Sequence, residues 1–108
     1  MQYERGDVAY GVDPFKGADA ARPWLVISTE EHPFHGEQYI AVTLTTKTWY
    51  GERISLDETD WTEGGTPKES SIVPWSVTSI DHDDLDFWQG RLRSAVVDEA
   101  VDSLTQYL

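Results

Sequence analysis

The sequence predicts a mainly β fold: a small twisted barrel of mostly antiparallel strands with a C-terminal amphipathic helix. Three observations lead there. Between Gly6 and Leu92, short segments with apolar residues at spacing two, or in brief β-branched runs, alternate with loops carrying Gly and Pro. These loops are too short to hold crossover helices, so successive strands must pair antiparallel. After Leu92 the apolar spacing changes to three and four, the period of a helix packed on one face.

The first strand is expected over Gly6 to Val12, where Val8, Tyr10 and Val12 share a face, and it ends at Asp13-Pro14. Phe15 to Ala21 lacks periodicity and reads as a loop. Trp24 to Ser28 is a continuous apolar run just after Pro23, which favours a strand buried on both faces. A polar loop with Pro33 and Gly36 follows. Tyr39 to Thr46 is the next strand, with Ile40, Val42 and Leu44 on one face and Ala41, Thr43 and Thr45 on the other.

A short strand near Arg53 to Leu56 leads into an acidic stretch, Asp57 to Glu69, whose Gly64-Gly65 and Pro67 mark a loop. Ser71 to Val77 has strand character, although Pro74 has no amide donor and so implies an edge or a bulge. Asp81 to Asp86 reads as a solvated turn, and Phe87 to Leu92 as a last strand. Five to seven strands then precede a helix that carries Val96, Val97, Ala100, Val101, Leu104 and Leu108 on one side, with Ser94 at its N-cap. At 108 residues, this is expected to be one domain, residues 1–108.

Composition narrows the function classes. Without cysteine there are no disulfides, thiolate zinc sites or thiol nucleophiles. The first residues lack a signal-peptide pattern, and no apolar run nears the roughly 20 residues that span a bilayer, so a cytoplasmic protein off the membrane is expected. Twenty acidic residues against eight basic ones give a net charge of −12. Five tryptophans and many aliphatic residues still provide a core, so the acidity is not that of a disordered chain. A lysine-poor, acidic surface suits a salt-saturated cytoplasm, where self-repulsion is screened. The same charge opposes nucleic-acid binding, which normally rests on Lys and Arg.

Three ordered segments nevertheless resemble the PemK/MazF family of endoribonuclease toxins: Arg5-Gly6-Asp7-Val8 followed by Asp13-Pro14 and Gly17; Arg22-Pro23 before Trp24-Leu25-Val26-Ile27-Ser28; and the Thr-rich end of Tyr39 to Thr46, followed by Ser71-Ile72-Val73 and Ser79-Ile80-Asp81. The resemblance covers nearly the whole chain. It implies an SH3-like barrel, a homodimer and a cognate antitoxin. It also implies cleavage of single-stranded RNA, with neither metal nor cofactor, to 2′,3′-cyclic phosphate and 5′-hydroxyl ends.

Carried over by position, the resemblance makes Arg22 and Thr45 the catalytic pair. Arg22 would hold the phosphate through forked hydrogen bonds, since a guanidinium with a pKa above about 12 is a poor general base. Thr45 would offer its hydroxyl to the phosphoryl oxygens. Phe15, Lys16 and Gly17 would border the groove, Lys16, Thr46 and Lys47 would meet the substrate, and Trp75 would stack on a base. The sequence departs from the family where some members carry an Arg and an Asp, here near Val73 and Trp75, which leaves the proton-transfer partner unassigned.

Each of these residues also has a plainer reading. Arg22 could simply pair with one of many carboxylates, Thr45 could be an ordinary strand residue, and Trp75 could belong to the core or a dimer interface. His32 and His35 beside Glu30, Glu31 and Glu37 sit in an irregular loop without the scaffold a metal site prefers. His82 among Asp81, Asp83 and Asp84 reads as a solvated turn. The alternative to a nuclease is a catalytically reduced barrel of the same kind that binds nucleic acid or protein without cutting; a small barrel that binds only protein ranks third.

Overall fold

The computed structural model describes residues 2–16 and 20–108. Its seven strands are β1 (Asp7–Val12), β2 (Ala21–Val26), β3 (Gln38–Thr45), β4 (Ile54–Ser55), β5 (Trp61–Gly64), β6 (Ser71–Asp81) and β7 (Leu85–Leu92), followed by helix α1 (Ser94–Gln106). They form one curled half-barrel in the order β4-β6-β3-β2-β1-β7-β5, and every pairing is antiparallel. The short strands, short loops and final helix therefore assemble as the sequence pattern predicts.

The sheet is buried on both faces. Val8, Leu25, Val42, Leu44 and Ile72 point to the side covered by Val96, Val97 and Ala100 of α1. Ala9, Trp24, Val26, Tyr39 and Ala41 point to the other side, where Tyr3, Ile80 and Leu85 close a second cluster. This two-sided burial explains the continuous apolar run Trp24-Leu25-Val26, because neither face of that half of the strand meets water. Ile40 departs from the expected alternation. It has the parity of Val42 and Leu44 but lies outside the cluster that α1 covers and is exposed.

Several boundaries differ from expectation for identifiable reasons. β2 begins at Ala21, not Trp24, because Ala21 to Pro23 pair with Tyr10 to Val12 even though Pro23 donates nothing. The acidic stretch expected as a loop contains β5, which lies against β7 through a close approach of Gly64 and Gly90. A Cβ on Gly90 would stand 2.7 Å from the Glu63 carbonyl oxygen, so only glycine lets the two backbones meet. β6 runs on to Asp81, and the turn after it is a single 3-10 turn, His82–Asp84. The helix N-cap is Arg93 with Ser94 already helical, and no side chain caps it. The first turn is anchored instead by Arg93, whose N–H and guanidinium both bond Asp60.

Pro74 sits at a bulge, one of its two expected settings. Val73 pairs with Thr43 and Val77 with Val42, so Pro74, Trp75 and Ser76 have no partners on β3.

Candidate functional site

Arg22 is placed by the proline that follows it. β2 and β3 pair through Trp24↔Thr43, Leu25↔Val42 and Val26↔Ala41. Continuing that register sets Pro23 across from Leu44 and Arg22 across from Thr45. Proline has no N–H to offer, and the Leu44 carbonyl instead accepts a 2.7 Å hydrogen bond from Arg22 Nη2. Arg22 Nη1 donates to Asp13 Oδ2 at 3.4 Å, and Asp13 Oδ1 in turn accepts from the Phe15 N–H at 2.9 Å. Asp13 is buried, so the expected pairing of Arg22 with a carboxylate is present and serves to aim the guanidinium. These two bonds use two of its five N–H groups, and its Nε is buried with no partner among the described residues.

Thr45 ends β3 on the face of Ala41 and Thr43 and is only 8% exposed. Its Oγ1 accepts from the Lys47 N–H at 3.1 Å, which leaves the hydroxyl proton free to be donated among the described residues.

Arg22 and Thr45 form part of the wall shared by two recesses. The larger is a groove of about 640 Å³, the smaller a cleft of about 110 Å³. Lys16 and Lys47 also line both, Thr46 lines the groove, and Trp75 and Ser76 enter the cleft from the bulge of β6. Trp75 is 37% exposed and meets Tyr50 and Tyr107 edge to face, so it belongs to neither buried cluster. Phe15, 76% exposed, stands on the adjoining loop but does not line either recess among the described residues. Gly17 lies outside the described residues.

The charge is unevenly distributed over the surface. Lys16, Lys47 and Lys68, all the lysines the chain has, line the groove together with Arg22. Asp13 is the only carboxylate among the described residues lining it. Arg5, Arg91 and Arg93 are instead tied to Asp98, Asp7 and Asp60 at 2.9, 3.2 and 2.9 Å. None of the lysines makes an ion pair among the described residues. A chain of net charge −12 thus brings all three of its lysines to one groove.

Sequence reasoning missed part of this groove. Tyr10 on β1 and Phe87 on β7 line it as a stacked ring pair, with centroids 5.3 Å apart and planes 20° apart, and Gln89 lines it two residues further along β7. Only the alternation of β7 could have signalled Phe87 and Gln89 as one face. The Arg-Gly-Asp segment turns out to be a fastening. Asp7 takes hydrogen bonds from Glu4 N, Trp88 Nε1 and Arg91 Nη1, while Arg5 reaches Asp98 on α1.

The histidines lie away from the groove. His32 Nδ1 accepts from the Phe34 N–H, and His35 Nε2 faces a Glu4 carboxylate oxygen at 3.2 Å. His82 is not simply a solvated turn residue, because its Nδ1 bonds the buried Tyr39 hydroxyl at 2.8 Å. No helix is long and apolar enough to cross a membrane among the described residues.

No protein-family model and no curated protein sequence matches the chain. Solved structures do. The MazE-MazF complex from Deinococcus radiodurans superposes with a TM-score of 0.76 at 15% identity, covering 99% of this chain and 96% of that one. An endoribonuclease in complex with its cognate antitoxin from a mycobacterial species gives 0.67 at 22% identity, covering 98% and 91%. The Mycobacterium tuberculosis toxin MazF-mt6 gives 0.64 at 19%, covering 94% and 93%. At these identities the likeness is one of fold: the curled sheet and C-terminal helix of this chain are those of MazF-type toxins.

Proposed function

We propose that this chain is the toxin of a toxin–antitoxin pair: an endoribonuclease that cuts single-stranded RNA at the Arg22–Thr45 pair. The observation that carries this reading is the convergence of Arg22 and all three lysines on one groove, in a fold otherwise seen in endoribonuclease toxins. In the reaction, the ribose 2′-oxygen attacks the adjacent phosphorus. The new P–O2′ bond forms as the P–O5′ bond breaks, solvent water taking the 2′-hydroxyl proton and returning one to O5′, which leaves a 2′,3′-cyclic phosphate and a 5′-hydroxyl. Negative charge builds on the non-bridging oxygens of the phosphorane, and N–H donors aimed there lower the barrier. Arg22, held in place by Asp13 and Leu44, supplies a fixed cation with unused N–H groups. Thr45 offers a hydroxyl hydrogen bond to the same oxygens from across the register.

The partners follow from the same reading: single-stranded RNA in the groove, a cognate antitoxin covering it, and a second copy forming a homodimer. We further propose a single domain spanning residues 1–108, a cytoplasmic location and a high-salt cell, the last supported by the acidic, lysine-poor composition.

One observation favours a second reading, a barrel that binds without cutting. Asp13 is the only carboxylate among the described groove-lining residues, and it is buried and occupied by Arg22 and the Phe15 N–H. No free general base therefore stands beside the pair among the described residues. One experiment separates the two readings. Purified protein and its Arg22→Ala variant are incubated with a long unstructured RNA in molar KCl containing EDTA, and the ends are analysed. Discrete cuts with cyclic phosphate ends, absent from the variant, support the nuclease. RNA left intact across a range of salt rejects cutting and leaves the binding barrel.

A further inference from the structure

The groove is much larger than a single phosphate site requires. Its 640 Å³ falls in the range of pockets that hold small organic ligands, and only one side of it is occupied by Arg22 and Thr45. The far side has three features that the cleavage chemistry does not use.

The first is the ring pair. Tyr10 and Phe87 are cross-strand partners of β1 and β7, and they stack nearly parallel. Phe87 is 53% exposed, so its ring offers apolar area to whatever enters the groove. The second is Gln89, on the same face of β7 as Phe87. Its Oε1 is buried and has no hydrogen-bond partner among the described residues, which is costly unless a ligand provides one. The third is Lys68. The Thr66 and Ser70 hydroxyls both donate to its carbonyl, at 2.7 and 3.1 Å, and lie 3.0 Å from each other. That stitching fixes the loop that carries this cation along the groove.

A flat aromatic face, an amide able both to donate and to accept, and a cation within one recess match one ligand class: a nucleotide of a single strand. Its base has two stacking faces and a hydrogen-bonding edge, and its phosphate is anionic. We infer that the Tyr10/Phe87 pair, Gln89 and Lys68 form a base-reading subsite, in which a nucleobase next to the reacting phosphate stacks on Phe87, Gln89 reads its edge, and Lys68 meets the adjoining phosphate. This rests on the RNA reading above and adds to it where base preference comes from.

The test uses a random-sequence single-stranded oligonucleotide with 2′-fluoro sugars, which lacks the attacking hydroxyl and so reports binding even if the protein cuts RNA. Fluorescence anisotropy gives affinity, and sequencing of the bound fraction gives base preference. Phe87→Ala should weaken binding about tenfold, and Phe87→Trp should restore it to within about threefold, as stacking requires. Gln89→Leu should flatten the preference at one position while retaining most of the affinity. The exposure of Phe87 means that its truncation leaves both buried clusters intact. If the wild type binds and selects bases while both variants match it, the subsite is wrong and the RNA reading stands. If the wild type binds neither this pool nor unmodified RNA, the RNA reading falls and takes the subsite with it.

Discussion

Arg22 and Tyr39 show how single side chains carry local design. Arg22 does with its side chain what a backbone amide would otherwise do, because the residue after it is proline and the Leu44 carbonyl needs a donor. Lysine cannot bond Leu44 and Asp13 together while also presenting donors to a phosphorane, since its ammonium is a single point on a flexible stem. Under the proposed nuclease reading, Arg22→Lys is therefore expected to retain charge and fold but lose about 10²–10³ in kcat, measured on a single-stranded RNA substrate. A variant within about threefold of wild type would mean that charge alone suffices there. Tyr39, fully buried, accepts from the Tyr3 N–H at 3.0 Å and bonds His82. Tyr39→Phe leaves that buried amide unpaired and should cost about 1–3 kcal/mol in urea titrations. Burial pushes the Tyr39 phenol above its ordinary value of 10.0, and the Tyr3 phenol is raised by burial and by Tyr39 beside it. The folded state thus favours both neutral phenols. That contribution is complete below pH 10 and is lost as pH rises through the raised folded values. The alkaline decline in stability should be shallower in Tyr39→Phe and should persist in part, because Tyr3 still titrates.

At the scale of elements, the sheet succeeds where the backbone departs from a regular ladder. The bulge at Pro74 lets β6 stay paired on both sides of three unpaired residues while delivering Trp75 and Ser76 to the cleft. β5 depends on Gly64 and Gly90 for its contact with β7. In Gly90→Ala the new methyl would lie 2.7 Å from both the Glu63 oxygen and the Gly65 nitrogen, all of it backbone. A loss of about 1–3 kcal/mol is expected, seen as a lower urea midpoint with an unchanged slope. An unchanged midpoint would mean that β5 is not held by this approach. These cases also mark what could be read in advance. β1, β3 and α1 were legible because each has one apolar period, and Pro74 was legible because a proline inside a strand leaves few options. β5 was hidden because its cause is tertiary: Trp61 to Gly64 lacks a strand pattern and pairs only where β7 offers a matching glycine. Of the site, the Arg-Pro and Thr positions were visible in local sequence. Lys16 and Lys47 were placed beside them by the family resemblance, but Lys68 was not, because its loop reaches the groove only through the curl of the sheet.

For the whole molecule, the proposed RNA reading requires a chain of net charge −12 to hold a polyanion. The contact side is cationic: Arg22 and three lysines line the groove, while the Arg5, Arg91 and Arg93 charges are neutralised by carboxylates. Contact with single-stranded RNA releases counterions, with a log–log salt slope of about −0.7 for each phosphate neutralised, so four cations set a limit near −3. The remaining surface acts in the opposite sense. Its excess carboxylates repel the strand over a distance that shrinks to about 3 Å at 1 M salt, and stacking on exposed rings is insensitive to salt. Binding should therefore fall with KCl far less steeply than −3, and should be flat or rising toward molar salt, as read by anisotropy on the 2′-fluoro strand. The fold should respond in the same direction. Screening the self-repulsion of the acidic surface should raise the thermal midpoint with KCl, while an equally acidic chain held together by surface ion pairs would gain less. A binding slope steeper than about −3 would require more phosphate contacts than the groove has cations, and would move the RNA to another face of the molecule.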